Sequence, residues 1–204
     1  MDALLITDIF GAGDHNQSVL QTLGSVAGHL SIVSPYGQAV TFASEGEAYE
    51  AFIRLSGHED YASRVGRAVQ ALTRPTLVIG FSAGGSAAWR ALAGYSGGMV
   101  KALLAFYPGQ IRHHLQLEIT VPSYLLFADE AHFSVQQIMK QLQGRVSQLK
   151  LPCQHGFMNP RSGGYDAAWQ NKILEGLEEV VRGRQNMEQW FTGLSKICGG
   201  QGVP

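Results

Sequence analysis

The chain has 204 residues, 45% of them hydrophobic and 15% charged, with a formal net charge of −1. That balance belongs to a globular protein with a sizeable core, expected as one domain over 1–204, and it offers no electrostatic attraction for a nucleic acid. Two cysteines, Cys153 and Cys198, without C-x-x-C spacing, point to a reducing compartment. The start MDALLITDIFG lacks the charge of a secretory leader and is too short to span a bilayer, so a cytoplasmic protein without a membrane partner is expected.

In chain order, the apolar run Ala3 to Phe10 reads as a first strand, followed by a helix over Gln17 to Ala27 and a strand over His29 to Ser34. Tyr36 to Gly57 has mixed periodicity and reads as a long excursion over the sheet edge. A helix over Glu59 to Leu72 is stopped by Arg74-Pro75, and the strand Thr76 to Ser82 runs into an alanine-rich helix over Gly84 to Ala93. Strands follow over Lys101 to Tyr107, Ser123 to Asp129 and Ser147 to Pro152, with a helix over Val135 to Leu142 between the last two. Helices over Asp166 to Val181 and Asn186 to Ile197 complete the pattern, and residues 198–204 read as a frayed tail. Most of the strands lack polar alternation, as expected when both faces are buried. Their alternation with helices predicts an α/β fold, with a mostly parallel sheet of about six strands and helices on both faces.

The pattern Gly-x-Ser-x-Gly occurs twice, at Gly80-Phe81-Ser82-Ala83-Gly84 and at Gly94-Tyr95-Ser96-Gly97-Gly98. With 25 glycines in the chain, the pattern alone identifies nothing. Only Ser82 lies between a strand and a helix, where a sharp corner exposes a serine at the carboxyl edge of the sheet and the helix N-terminus favours an anionic transition state. Ser96 closes a helix and reads as a loop residue. A serine nucleophile needs a base and an orienting carboxylate, in chain order nucleophile, acid, histidine. Asp129, ending a strand, is the expected acid, with its neighbour Glu130 as the alternative. His155, in the loop after the sixth strand, is the expected base, over His113, His114 and His132. Asp8, Phe10, Tyr36, Phe81, Tyr107, His132 and Phe157 are candidate pocket residues.

The segments TDIFG (Thr7 to Gly11), GFSAGG (Gly80 to Gly85), FADE (Phe127 to Glu130) and HGFMNPRSGGYDAAWQ (His155 to Gln170) resemble the dienelactone hydrolase family of the α/β-hydrolase superfamily. The resemblance implies a single α/β-hydrolase domain, a triad of Ser82, Asp129 and His155, and an oxyanion hole made by the backbone amides of Ile9 and Ala83. It also implies a small ester, lactone or thioester as substrate, and no cofactor or metal. The family's prototype carries cysteine at the position of Ser82, glutamate at that of Asp8, and a substrate-holding arginine where this chain has Asn159, with Arg161 displaced. The first strand, starting at Ala3, implies a sheet trimmed to about six strands. A carboxylate beside a developing oxyanion would repel it, so Asp8 is expected to point away, to be hydrogen-bonded or to be protonated.

The rivals are a dinucleotide-binding protein and a non-catalytic module of the same fold. For the first, Gly11-Ala12-Gly13 lies between a strand and a helix, but Asn16 replaces the third glycine and the second strand ends without an acidic residue. For the second, three triad candidates stand in the required order. Adjacent His113 and His114 point in different directions and do not suggest a metal site.

Overall fold

The computed structural model describes residues 1–199; the end of the expected tail, 200–204, lies outside the described residues. Six strands form the sheet: β1 (Asp2–Ile6), β2 (Leu30–Val33), β3 (Thr76–Phe81), β4 (Val100–Phe106), β5 (Ser123–Asp129) and β6 (Ser147–Gln154). All pair in parallel, in the order β2-β1-β3-β4-β5-β6. The chain leaves β1 toward one edge, to β2, and returns to β3 on the other side of β1. That reversal opens a crevice beyond the carboxyl ends of β1 and β3, the place where parallel sheets bind ligands.

Alternate strand residues build the two sides of the core. Leu4, Ile6, Val78, Leu103, Ala105, Leu125 and Phe127 face one layer. It is covered by α2 (Glu45–Leu55), α3 (Gly57–Gln70), α4 (Ala83–Ala91) and α5 (Val135–Leu142). Leu5, Leu77, Ile79, Leu104, Phe106, Leu126 and Leu149 face the other, which is covered by α1 (Gln17–Val26), α6 (Ala167–Val181) and α7 (Met187–Ile197). With a helical layer on each face, the strands need no polar side, which is why they read as apolar runs. No helix of the described residues is long and apolar enough to cross a membrane.

Two expectations about elements change. The first strand ends at Ile6 rather than at Phe10. The Asp8 carboxylate accepts the Phe10 N–H at 2.9 Å and its carbonyl accepts the Gly11 N–H at 3.1 Å. This local turn outcompetes the ladder despite the apolar Ile9 and Phe10. Within the stretch after Tyr36 expected as an excursion over the sheet edge, residues 45–55 form α2, capped by Ser44, whose hydroxyl accepts the Glu47 N–H. It buries only Ala48, Ala51 and Phe52, and leaves Tyr49, Ile53 and Leu55 exposed, so the apolar pattern carried no clean face.

The tightest contact in the fold lies where α4 leaves β3. A Cβ on Gly80 would sit 2.6 Å from Gly85 Cα, and one on Gly84 would be driven into the carbonyl oxygen of Thr7 at the end of β1. Gly84→Ala is expected to destabilise by about 3 kcal/mol or more, a fall in Tm of roughly 6–12 °C. Gly66→Ala, in the interior of α3 with open space around it, is expected to raise stability by about 0.5–1 kcal/mol. Calorimetry of both variants checks the contrast; equal melting points would refute the close approach.

Candidate active site

Ser82 stands between β3 and α4 with φ 49° and ψ −114°, a left-handed φ that a non-glycine residue holds only under constraint from its surroundings. The constraint is visible on both sides. Its N–H donates to Phe106 O at 2.9 Å, across to β4, and its carbonyl accepts the Ser86 N–H at 3.0 Å inside α4. The corner therefore projects the hydroxyl out of the carboxyl edge of the sheet, and Ser82 Oγ lies 2.9 Å from His155 Nε2.

His155 follows β6 directly, and its N–H donates to Asp129 O at 3.1 Å, which ties the start of its loop to the end of β5. Its other ring nitrogen, Nδ1, is 2.6 Å from Glu130 Oε1. The carboxylate that meets His155 is therefore that of Glu130, the alternative in the sequence, and not that of Asp129. The Asp129 carboxylate pairs with Lys150 Nζ at 2.6 Å and its side chain is 49% exposed, whereas that of Glu130 is 11% exposed. β5 ends at Asp129, and the chain leaves the sheet there, so that the two adjacent carboxylates find different partners. Burial also separates them physically: a carboxylate shielded from water holds an imidazole far more firmly than one facing solvent.

Aromatic side chains support the histidine from below. The Tyr107 ring lies 4.8 Å from that of His155, and Phe157 lies 5.2 Å from Tyr107. Phe81 stacks on Phe106 at 4.9 Å. Phe81 and Phe157 are thus packing residues beneath the site and do not line the cavity beside Ser82. Tyr107 does line it, with φ 38°, and burial above all pushes its hydroxyl well above the usual tyrosine range, so it stays neutral.

The cavity holds about 800 Å³ and is bordered by Asp8, Ile9, Phe10, Ala83, Asp129 and His132 from the expected set, besides Ser82, Tyr107 and His155. His132 lines it without joining the hydrogen-bond chain. Tyr36 is excluded from it; its hydroxyl donates instead to Ile9 O at 2.7 Å, behind the loop. Sequence reasoning missed Tyr49 and His58, which enter from α2 and α3, and Arg112 and Phe133, which pack as a cation over a ring at 4.6 Å. No motif marks these residues; the helix that brings Tyr49 was itself unread.

Ile9 and Ala83 both line the cavity with Ser82. Ala83 opens α4, so its N–H has no partner within the helix, and the Ile9 N–H has no acceptor among the described residues. Asp8, one residue away, is buried and hydrogen-bonded, as one of the three expected arrangements had it. It accepts from Phe10 N–H and, at 2.6 Å, from Asn159 Nδ2. Burial pushes its ionisation above the usual carboxylate range, opposed by His15, whose Nε2 lies 3.9 Å from Oδ1, and by the two donors. Among the described residues, no group of three or more His, Cys, Asp or Glu side chains could hold a metal ion.

The family model described as the dienelactone hydrolase family matches residues 4–182. The comparison with curated proteins finds no match. Among solved structures, a dienelactone hydrolase-like promiscuous phosphotriesterase from metagenomic libraries aligns with TM-score 0.59 and 16% identity over 88% of this chain and 84% of its own. A thioesterase domain from the curacin biosynthetic pathway aligns with TM-score 0.56 and 13% identity, over 88% and 90%. A Butyrivibrio proteoclasticus protein with ferulic acid bound aligns with TM-score 0.54 and 15% identity, over 93% and 89%. At these identities the likeness is one of fold.

The geometry at His155 has a spectroscopic consequence. A proton held between Nδ1 and Glu130 at 2.6 Å is expected to give a resolved low-field proton resonance in the wild type and in Asp129→Asn. Glu130→Gln is expected to lose it. The opposite pattern would return the role to Asp129.

Proposed function

Since the chain belongs to the dienelactone hydrolase family, we propose that it is a serine hydrolase that cleaves a small carboxyl ester, lactone or thioester through an acyl-enzyme on Ser82. One observation carries this reading: the unbroken chain Ser82 Oγ to His155 Nε2 at 2.9 Å and His155 Nδ1 to Glu130 Oε1 at 2.6 Å, starting from a strained strand-to-helix corner. A serine hydroxyl is a weak nucleophile at neutral pH, and this arrangement is the one that activates it.

In the first half-reaction His155 Nε2 takes the Ser82 proton as Oγ bonds to the carbonyl carbon. The negative charge that develops on the carbonyl oxygen is met by the amides of Ile9 and Ala83. His155 returns the proton to the departing alkoxide or thiolate as the bond to it breaks. Water then repeats the steps on the acyl-enzyme, and the acid leaves with Ser82 restored. Glu130 holds the imidazole in the tautomer with Nε2 free to accept and stabilises the cation formed. The N-terminus of α4 adds its dipole to the oxyanion side.

The cavity of about 800 Å³ suits a small-molecule substrate, and the apolar faces of Phe10, Tyr49 and Phe133 suit an acyl or leaving group with hydrocarbon character. The intact hydrogen-bond chain at Ser82 favours an enzyme over a non-catalytic module of the same fold.

A series of p-nitrophenyl esters of increasing acyl length sizes the pocket and tests the nucleophile together. Ser82→Ala is expected to lower kcat by something like 10⁶-fold, and Glu130→Gln by about 10⁴-fold, whereas Asp129→Asn should leave it nearly unchanged. A fluorophosphonate probe should label Ser82 in the folded protein. Turnover that survives Ser82→Ala would remove the serine from its role, and an unlabelled, inactive wild type would favour the binding module.

A further inference from the structure

The peptide between Ile9 and Phe10 is held at both ends. Its carbonyl oxygen accepts from Tyr36 Oη at 2.7 Å, and its N–H donates to Asp8 Oδ1 at 2.9 Å. With that plane fixed, the preceding peptide, which carries the Ile9 N–H, has little freedom to turn away from the cavity. The other Asp8 oxygen, Oδ2, accepts from Asn159 Nδ2 at 2.6 Å, across 151 residues of chain. Asn159 cannot flip, because its Oδ1 already accepts the Arg161 N–H at 2.8 Å. Asp8 and Asn159 are 7% and 4% exposed, so neither contact is easily exchanged for water. The Asn159 N–H in turn donates to Gly156 O at 2.8 Å, next to His155.

We propose that Asp8 is a positioning residue that locks the oxyanion amide of Ile9 to the histidine loop through Asn159, so that the oxyanion donor and the base keep a fixed separation through the reaction. The inference rests on the serine-hydrolase reading of the site. It assigns Asp8 no contact with substrate or with Ser82: both of its oxygens are spent on protein donors. This also explains why a carboxylate is tolerated beside an oxyanion site, since its charge is compensated by two protein donor groups.

The hydrogen-bond polarity makes the proposal testable by exchange. In Asp8→Asn the new carboxamide still accepts from Phe10 but sets an N–H₂ against Asn159 Nδ2. In Asn159→Asp two carboxylate oxygens oppose each other. In the double variant Asp8→Asn/Asn159→Asp all three bonds return, now with the carboxamide at position 8 donating to the carboxylate at position 159, and the total charge is unchanged. Each single variant is expected to lower kcat on p-nitrophenyl acetate by about 10²-fold, the scale of a misplaced oxyanion donor, with KM little changed. The double variant should recover most of the loss. The low-field proton of His155 should persist throughout, because the bond to Glu130 is untouched.

Tyr36→Phe, which frees the other end of the same peptide, provides a second reading should a variant at position 8 fail to fold; it should also lower kcat with KM little changed. The proposal is overturned if Asp8→Asn and Tyr36→Phe both keep kcat within about twofold of wild type, or if the folded double variant is as slow as the singles. Should wild type and Ser82→Ala turn over esters alike, the serine-hydrolase reading fails and this one falls with it. Normal wild-type turnover with Asp8→Asn and Tyr36→Phe both unaffected overturns only the positioning role.

Discussion

The approach of α4 to the end of β1 governs the molecule. The first turn of this helix lies so close to the carbonyl oxygens of Ile6 and Thr7 that only glycine fits at position 84, and so close to β3 that only glycine fits at position 80. That proximity forces Ser82 into its left-handed corner, at a cost of about 1–3 kcal/mol that the packed layers on either side of β3 offset. It also puts the start of a helix, with its unpaired N–H groups, beside the loop that follows β1. The Ser82 hydroxyl, a helix N-terminus and the loop after β1 thus meet at one point for a single geometric reason.

The parallel sheet does the rest of the positioning. Strands β3, β5 and β6 end at the same edge, so the residues just past them, Ser82, Glu130 and His155, converge from positions far apart in the chain. The same edge sorts two neighbouring carboxylates by environment. Asp129 faces Lys150 and solvent, where an ion pair contributes little, while Glu130 is shielded and makes one short bond to an imidazole. Tyr107 packs against the ring of His155 and is itself backed by Phe157.

The loop after β1 answers to a different set of forces. Apolar residues Ile9 and Phe10 would prolong the strand, but the Asp8 carboxylate and Gly11 turn the chain sharply, and Tyr36, Tyr61 and Asn159 fasten the result from three separate elements. Tyr61 Oη, fully buried, donates to Thr7 O at 2.7 Å. Side chains that a sequence reading would place in a pocket are in this way occupied with holding backbone.

Much was determined by sequence alone. Periodicity and breakers placed the six strands and, among the described residues, every α-helix except α2, because strands buried on both faces and helices with an apolar face leave a local signature. The small residues around Ser82 and its place between strand and helix distinguished it from Ser96, and the order of acid and histidine led to the loops whose Glu130 and His155 side chains lie within hydrogen-bond distance of one another. Side-chain direction, by contrast, came from packing in three dimensions. Asp129 and Glu130 are one residue apart, and which of them faces His155 depends on where β5 stops and how it pairs with β6. Tyr36 and Phe157 are aromatic in the right region, yet they turn to backbone and core. Composition and spacing report which residues come near a site; the orientation of a side chain is set by packing from distant segments, which no local pattern encodes.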